Sequence, residues 1–103
     1  MPTQDSDFLY FVLDQLQGLR GLQPRAMFGA HGIYLDGVFF AIVSGGRLYF
    51  KTSPETRERY IARGSDPFRP NEKQALKSYY EVPIDVLEDH DELASWAIEA
   101  SKA

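Results

Sequence analysis

The chain has 103 residues, 44% hydrophobic and 14% aromatic, which supplies one packed core and makes residues 1–103 a single domain. It has no cysteine, so disulfides, thiolate catalysis and cysteine metal sites are excluded; no apolar run is long enough to cross a membrane, and the opening MPTQDSDF lacks the pattern of a secretory signal, so a soluble cytoplasmic protein is expected. The net charge of −4 is uneven: residues 20–77 hold ten Arg and Lys against five acids, whereas residues 78–103 hold seven acids against Lys102.

Leu9, Val12, Leu13 and Leu16 recur at helical spacing and predict a first helix over 7–20, with Phe8 and Phe11 widening its apolar face. Asp5 or Ser6 would cap it, and Pro24 forbids its continuation. Residues 25–52 read as three or four strands. Arg25 to Phe28 leads into Gly29 and Gly32, expected to serve positive φ at a bend, with Met27 and Phe28 in the core. Asp36-Gly37 and Gly45-Gly46 are two-residue hairpin signals, and Val38 to Val43 is a continuous apolar run suited to a strand buried on both faces. Leu48 and Phe50 then alternate with Tyr49 and Lys51.

Residues 53–64 predict a second helix, with a Thr52–Glu55 capping box, Pro54 in the first turn and Gly64 at the end. Residues 65–74, dense in turn formers, read as a loop, and 75–82 as a further strand. Pro83 opens a short helical turn with Ile84, Val86 and Leu87. Asp89 and Glu92 cap a last helix whose apolar face is Leu93, Trp96, Ala97 and Ala100. The pattern predicts an α+β two-layer sandwich, an antiparallel β-sheet packed by helices in the order α-β(3-4)-α-β(1-2)-α.

These residues resemble a known family. Arg25-Ala26-Met27-Phe28-Gly29 followed by Gly32-Ile33-Tyr34 looks like the opening motif of the TfoX N-terminal domain, whose members are described as regulating competence-specific genes in bacteria. The likeness continues through Asp36-Gly37, Phe40-Ala41, Leu48-Tyr49-Phe50-Lys51, Pro67-Phe68, Ser78-Tyr79-Tyr80-Glu81-Val82-Pro83 and Trp96-Ala97. The chain departs from the pattern at Ala30, where a second glycine is common, and at Pro70, where a tyrosine is. The resemblance implies a two-layer fold similar to that of secretion chaperones. Full-length competence regulators carry a second, C-terminal helical domain, so the resemblance here is to a stand-alone member.

Candidate sites follow. Gly29 and Gly32 could admit a ligand to the backbone, but Gly-Ala-His-Gly lacks the Lys-Ser/Thr of a phosphate loop. His31 could be a ligand or a base, although a lone histidine in a turn more often makes a local hydrogen bond. His90 among Glu88, Asp89, Asp91 and Glu92 reads as a solvated helix start rather than a metal site. No serine lies in a nucleophile-elbow context, so an enzyme is not expected and no cofactor is implied. The tyrosines, with Arg25, Arg47, Lys51, Arg69, Lys73 and Lys77, could build a basic aromatic face for a protein partner; the overall acidity argues against direct nucleic-acid binding.

The expected function is a regulatory or adaptor domain that contacts another protein, with transcription machinery the partner the resemblance implies. The expected surface comprises Arg25, Gly29, His31, Gly32, Tyr34, Lys51, Arg69 and Lys77. Two alternatives are a small-molecule-binding domain or minor enzyme with a pocket near Gly29–Gly32, and a self-associating module pairing two copies through an open sheet edge as a homodimer.

Overall fold

The structure, a computed structural model, describes residues 4–27 and 29–103, without the side chains of residues 4–6. Asp5 and Ser6, expected to cap the first helix, lie inside α1, past its start, with their side chains outside the description; Phe28, expected in the core, lies outside the described residues. The elements are α1 (Gln4–Gln15), β1 (Leu22–Met27), β2 (Ala30–Leu35), β3 (Val38–Ser44), β4 (Arg47–Lys51), α2 (Pro54–Ala62), β5 (Pro67–Asn71), β6 (Gln74–Glu81), α3 (Ile84–Leu87) and α4 (His90–Ser101).

The six strands form one open sheet in the order β1-β2-β3-β4-β6-β5, antiparallel throughout. The fold is thus α+β with helices on an antiparallel sheet. The turns obey their residues: Asp36 has φ 51° and Gly37 φ 83°, the pair of positive values that matches a two-residue turn to the twist of its strands. Both edge strands hold proline, Pro24 in β1 and Pro67 and Pro70 in β5, and each removes a backbone donor from the sheet margin.

Three local expectations change. Residues 65–74 are not a loop: β5 runs through them, because an edge strand pairs on one side only and tolerates Pro67 and Pro70. The cap of α2 is Ser53, not Thr52. Ser53 Oγ accepts from the Thr56 backbone N–H at 3.2 Å, and the Ser53 N–H donates to Thr56 Oγ1 at 2.9 Å, so the box closes with threonine in place of glutamate. Thr52 is instead buried; its hydroxyl donates to the Ser78 carbonyl at 3.0 Å and accepts from Arg57 Nε at 3.0 Å, which satisfies it without water. Finally, α1 stops at Gln15, and Phe11, expected on its packed face, is 41% exposed.

The core lies between the sheet and the helices. Leu9 and Val12 of α1, Leu16 just past its end, and Leu93, Trp96, Ala97 and Ala100 of α4 meet Ile33, Phe40, Ala41, Val43, Leu48 and Phe50 of the sheet. Val86 and Leu87 of α3 close one end, and Tyr60 anchors α2. Helix α2 ends where expected: the Ser65 N–H donates to the Tyr60 carbonyl and the Gly64 N–H to that of Ile61, a Schellman motif.

The Tyr60 hydroxyl is pushed well above the usual tyrosine value, chiefly by burial; Glu99 adds to the shift and Arg59 opposes it. The folded state keeps this group neutral where the unfolded chain ionises near about pH 10. Its stabilising effect is therefore complete below that value and is lost as pH rises toward the folded one, at about 1.4 kcal/mol per pH unit. Urea midpoints should fall steeply as pH rises above about 10, and Tyr60→Phe should flatten that fall. An equally steep fall in the Phe variant would assign the alkaline transition to other groups.

Candidate functional site: the helix-free face of the sheet

Strand pairing sorts the side chains into two faces. Ile33 lies opposite Ala41, and Tyr34 opposite Phe39, so Phe40 is an extra residue without a partner on β2. This bulge turns both Phe40 and Ala41 toward the helices, with the Phe40 and Phe50 rings 5.6 Å apart. It leaves Phe39 and Ile42 on the opposite side. The apolar run Val38 to Val43 is thus divided between both faces, yet helices cover only one of them.

The uncovered face is an aromatic array. Tyr34 stacks on Phe39 at 5.2 Å between ring centres, Phe39 meets Tyr79 at 5.4 Å, and Tyr49 meets Phe68 at 4.9 Å. Spacings of this kind suit offset or tilted ring pairs. Ile42 lies among them at 2% exposure, paired with Gly32 on one side and Tyr49 on the other. Arg25 sits 5.2 Å from the centre of the Tyr34 ring, and Lys51 lies opposite Tyr79. Arg47 donates to both carboxylate oxygens of Glu81 at 3.0 Å, beside Tyr49.

Burial raises the hydroxyls of Tyr49 and Tyr79. Tyr79 is pushed up by burial first and by nearby Tyr34 second. Tyr49 is pushed up by burial and then by Glu81, with Arg47 opposing and Asp66 adding. Both stay neutral at physiological pH and present apolar ring faces with a polar tip.

One end of the face deepens into a trough of about 480 Å³. The end of β1 supplies Met27 and the start of β2 Ala30, β3 supplies Phe39, Ile42 and Ser44, and the β5–β6 hairpin supplies Phe68, Arg69, Pro70, Asn71 and Leu76. Among the described residues, no acid, histidine or lysine lines it. The trough offers shape, apolar area and one guanidinium.

The expected surface residues separate. Arg25, Gly32, Tyr34, Lys51 and Arg69 come together on this face. Lys77 is exposed on β6 where its pairing with β5 becomes irregular. Gly29, with φ 79°, belongs to the β1–β2 turn. Gly32 does not serve a positive φ: it lies within β2, where an added Cβ would stand 2.8 Å from Phe39 Cε1 and 3.2 Å from Met27 Cε. Its role is to let those two side chains lie on the backbone. His31 is not in a turn either. It pairs within the sheet with Ala26 and Val43, on the helix side, and its Nδ1 is buried without a hydrogen-bond partner. His90 is 3.2 Å from Asp91, and no group of three His, Asp or Glu side chains converges among the described residues.

Sequence reasoning missed Phe39, Ile42, Phe68 and Leu76. The run of apolar residues in β3 hides the bulge that divides it, and Phe68 lies in a segment whose prolines disguise a strand.

Among the described residues, no helix is long and apolar enough to cross a membrane. The family model described as the TfoX N-terminal domain matches residues 14–103. No curated protein matches the chain.

Proposed function

Because the chain belongs to the TfoX N-terminal domain family, we propose that it is a non-catalytic regulatory or adaptor domain that works by contact with another protein. Its place would be in bacterial transcription or competence regulation, in the cytoplasm. The observation that carries this reading is the helix-free sheet face, where five aromatic rings lie beside Arg25, Lys51 and Arg69. Tyrosine and arginine around a desolvated centre are the residue types that dominate binding energy at protein interfaces. The prolines at both sheet edges favour the face over edge pairing as the contact, and they weigh against self-association through the edges.

The test is an affinity capture from the native host, compared between the natural chain and a Lys51→Glu, Arg69→Glu, Lys77→Glu variant. Arg69 and Lys77 are exposed and Lys51 is half-buried at its rim, so the variant should fold normally by circular dichroism. A transcription component recovered with the natural chain should bind the variant at least ~10-fold more weakly, since charge at an interface rim sets encounter rate and register. Equal affinity for both chains would remove this face from the contact.

A further inference from the structure

We propose that the trough on the helix-free face binds a small amphipathic monocarboxylate, an aliphatic or aromatic acid. Its apolar body would lie on Phe39, Ile42, Phe68 and Leu76, and its carboxylate would meet Arg69. This goes beyond the protein-contact reading, because the trough is a concavity with its own chemistry and not only a part of the surrounding face.

Three observations carry it. The first is size and lining: about 480 Å³ falls within the range of small-molecule sites, roughly 300–1,000 Å³, and the walls are mainly apolar with few polar groups. The floor is Ile42, at 2% exposure, whereas Leu76 at the rim is 42% exposed, so an apolar guest would cover surface that no helix covers.

The second is charge. Among the described residues, Arg69 is the only charged one in the lining. Arg47, Arg59 and Arg63 each hold a carboxylate, of Glu81, Glu99 and Asp85 respectively, while Arg69 has no ion pair among the described residues. A free guanidinium beside an apolar concavity fits the two oxygens of one carboxylate. A dianion would call for a second cation in the lining, and the described residues supply none.

The third is the state of the remaining polar groups. Asn71 is committed to its own turn: its Oδ1 accepts from the Lys73 N–H at 2.8 Å and its Nδ2 donates to Gln74 Oε1 at 3.1 Å. Anion recognition therefore falls to Arg69, with the Ser44 hydroxyl the other polar group within the trough.

The experiment uses anilinonaphthalene sulfonate, a fluorescent aromatic monoanion, as the first probe, with decanoate and decanol as competitors. Binding should be saturable at one site per chain, on a protein that still unfolds cooperatively. Decanoate should displace the dye at least ~10-fold more effectively than decanol, the discrimination expected of a charge-assisted hydrogen bond. Arg69→Gln should abolish that preference. Ala30→Leu, which fills the trough from the β1–β2 end, should weaken dye binding at least ~10-fold. Leu76→Asp, at an exposed position, provides a second blocking variant should Ala30→Leu fold poorly.

Dye binding that fails to saturate, or that survives both blocking variants, overturns the site. Equal displacement by decanoate and decanol on the natural chain overturns the carboxylate assignment. Neither failure bears on the partner-contact reading, because Ala30→Leu leaves the basic residues of the face in place.

Discussion

Replacing Tyr60 with alanine should cost about 3–5 kcal/mol of folding stability, the range for truncating a fully buried aromatic ring. Tyr60 is 1% exposed and is the only buried residue of α2. Its ring meets Trp96 edge-on at 4.9 Å and lies 6.4 Å from Tyr80, so it joins α2 to both α4 and β6. The other ties of this helix are weak. Arg59 pairs with Glu99 and Arg63 with Asp85, both exposed, and such pairs contribute about 0–1 kcal/mol. The two arginines also cover the Trp96 ring, at 4.3 and 5.4 Å from its centre, but that contact itself depends on α2 being docked. Urea denaturation followed by tryptophan fluorescence reports directly on this junction, and the expected Tm fall is roughly 12 °C or more. A loss below about 1 kcal/mol would mean that the caps and ion pairs hold α2 without the ring.

Gly32→Val is the second large effect, about 1–3 kcal/mol of destabilisation from overpacking. Valine suits a strand by propensity, so any loss reports the space above the backbone. An added Cβ would stand 2.8 Å from Phe39 Cε1. Relief by moving Phe39 is blocked, because its ring is held between Tyr34 at 5.2 Å and Tyr79 at 5.4 Å. The whole array must shift, and the trough that Phe39 lines must change with it. Denaturation midpoints give the stability change, and near-ultraviolet circular dichroism reads the ring packing. A valine variant of natural stability and spectrum would show that the array is loosely held.

What the sequence made legible was local. Asp36-Gly37 and Gly64 announced their turn and helix end, because positive φ leaves few residue choices. The faces of α1 and α4 followed from helical spacing, apart from Phe11. The strand over 67–71 was illegible because Pro67, Pro70 and Asn71 are poor strand formers, and only an edge position makes them acceptable. Gly32 was misread because a glycine selected for a neighbour's ring looks, in sequence, the same as one selected for its backbone angle. The site was half visible: Arg25, Tyr34, Lys51 and Arg69 were named, but nothing in alternation alone tells which face of a sheet the helices leave bare. That depends on the bulge at Phe40, which changes the phase of β3 midway. His31, expected in a turn, lies in a strand because β2 begins at Ala30.

The order of strands in the sheet also sets how much chain entropy each pairing costs. From β1 to β4 every strand pairs with its neighbour in sequence, and β5 pairs with β6 in the same way. These hairpins can close early, because bringing nearby segments together sacrifices little chain entropy. The seam between β4 and β6 is different: Lys51 must find Tyr79 across the whole of α2 and β5. Joining the four-stranded meander β1–β4 to the β5–β6 hairpin along that one seam therefore carries the largest loop-closure cost in the sheet.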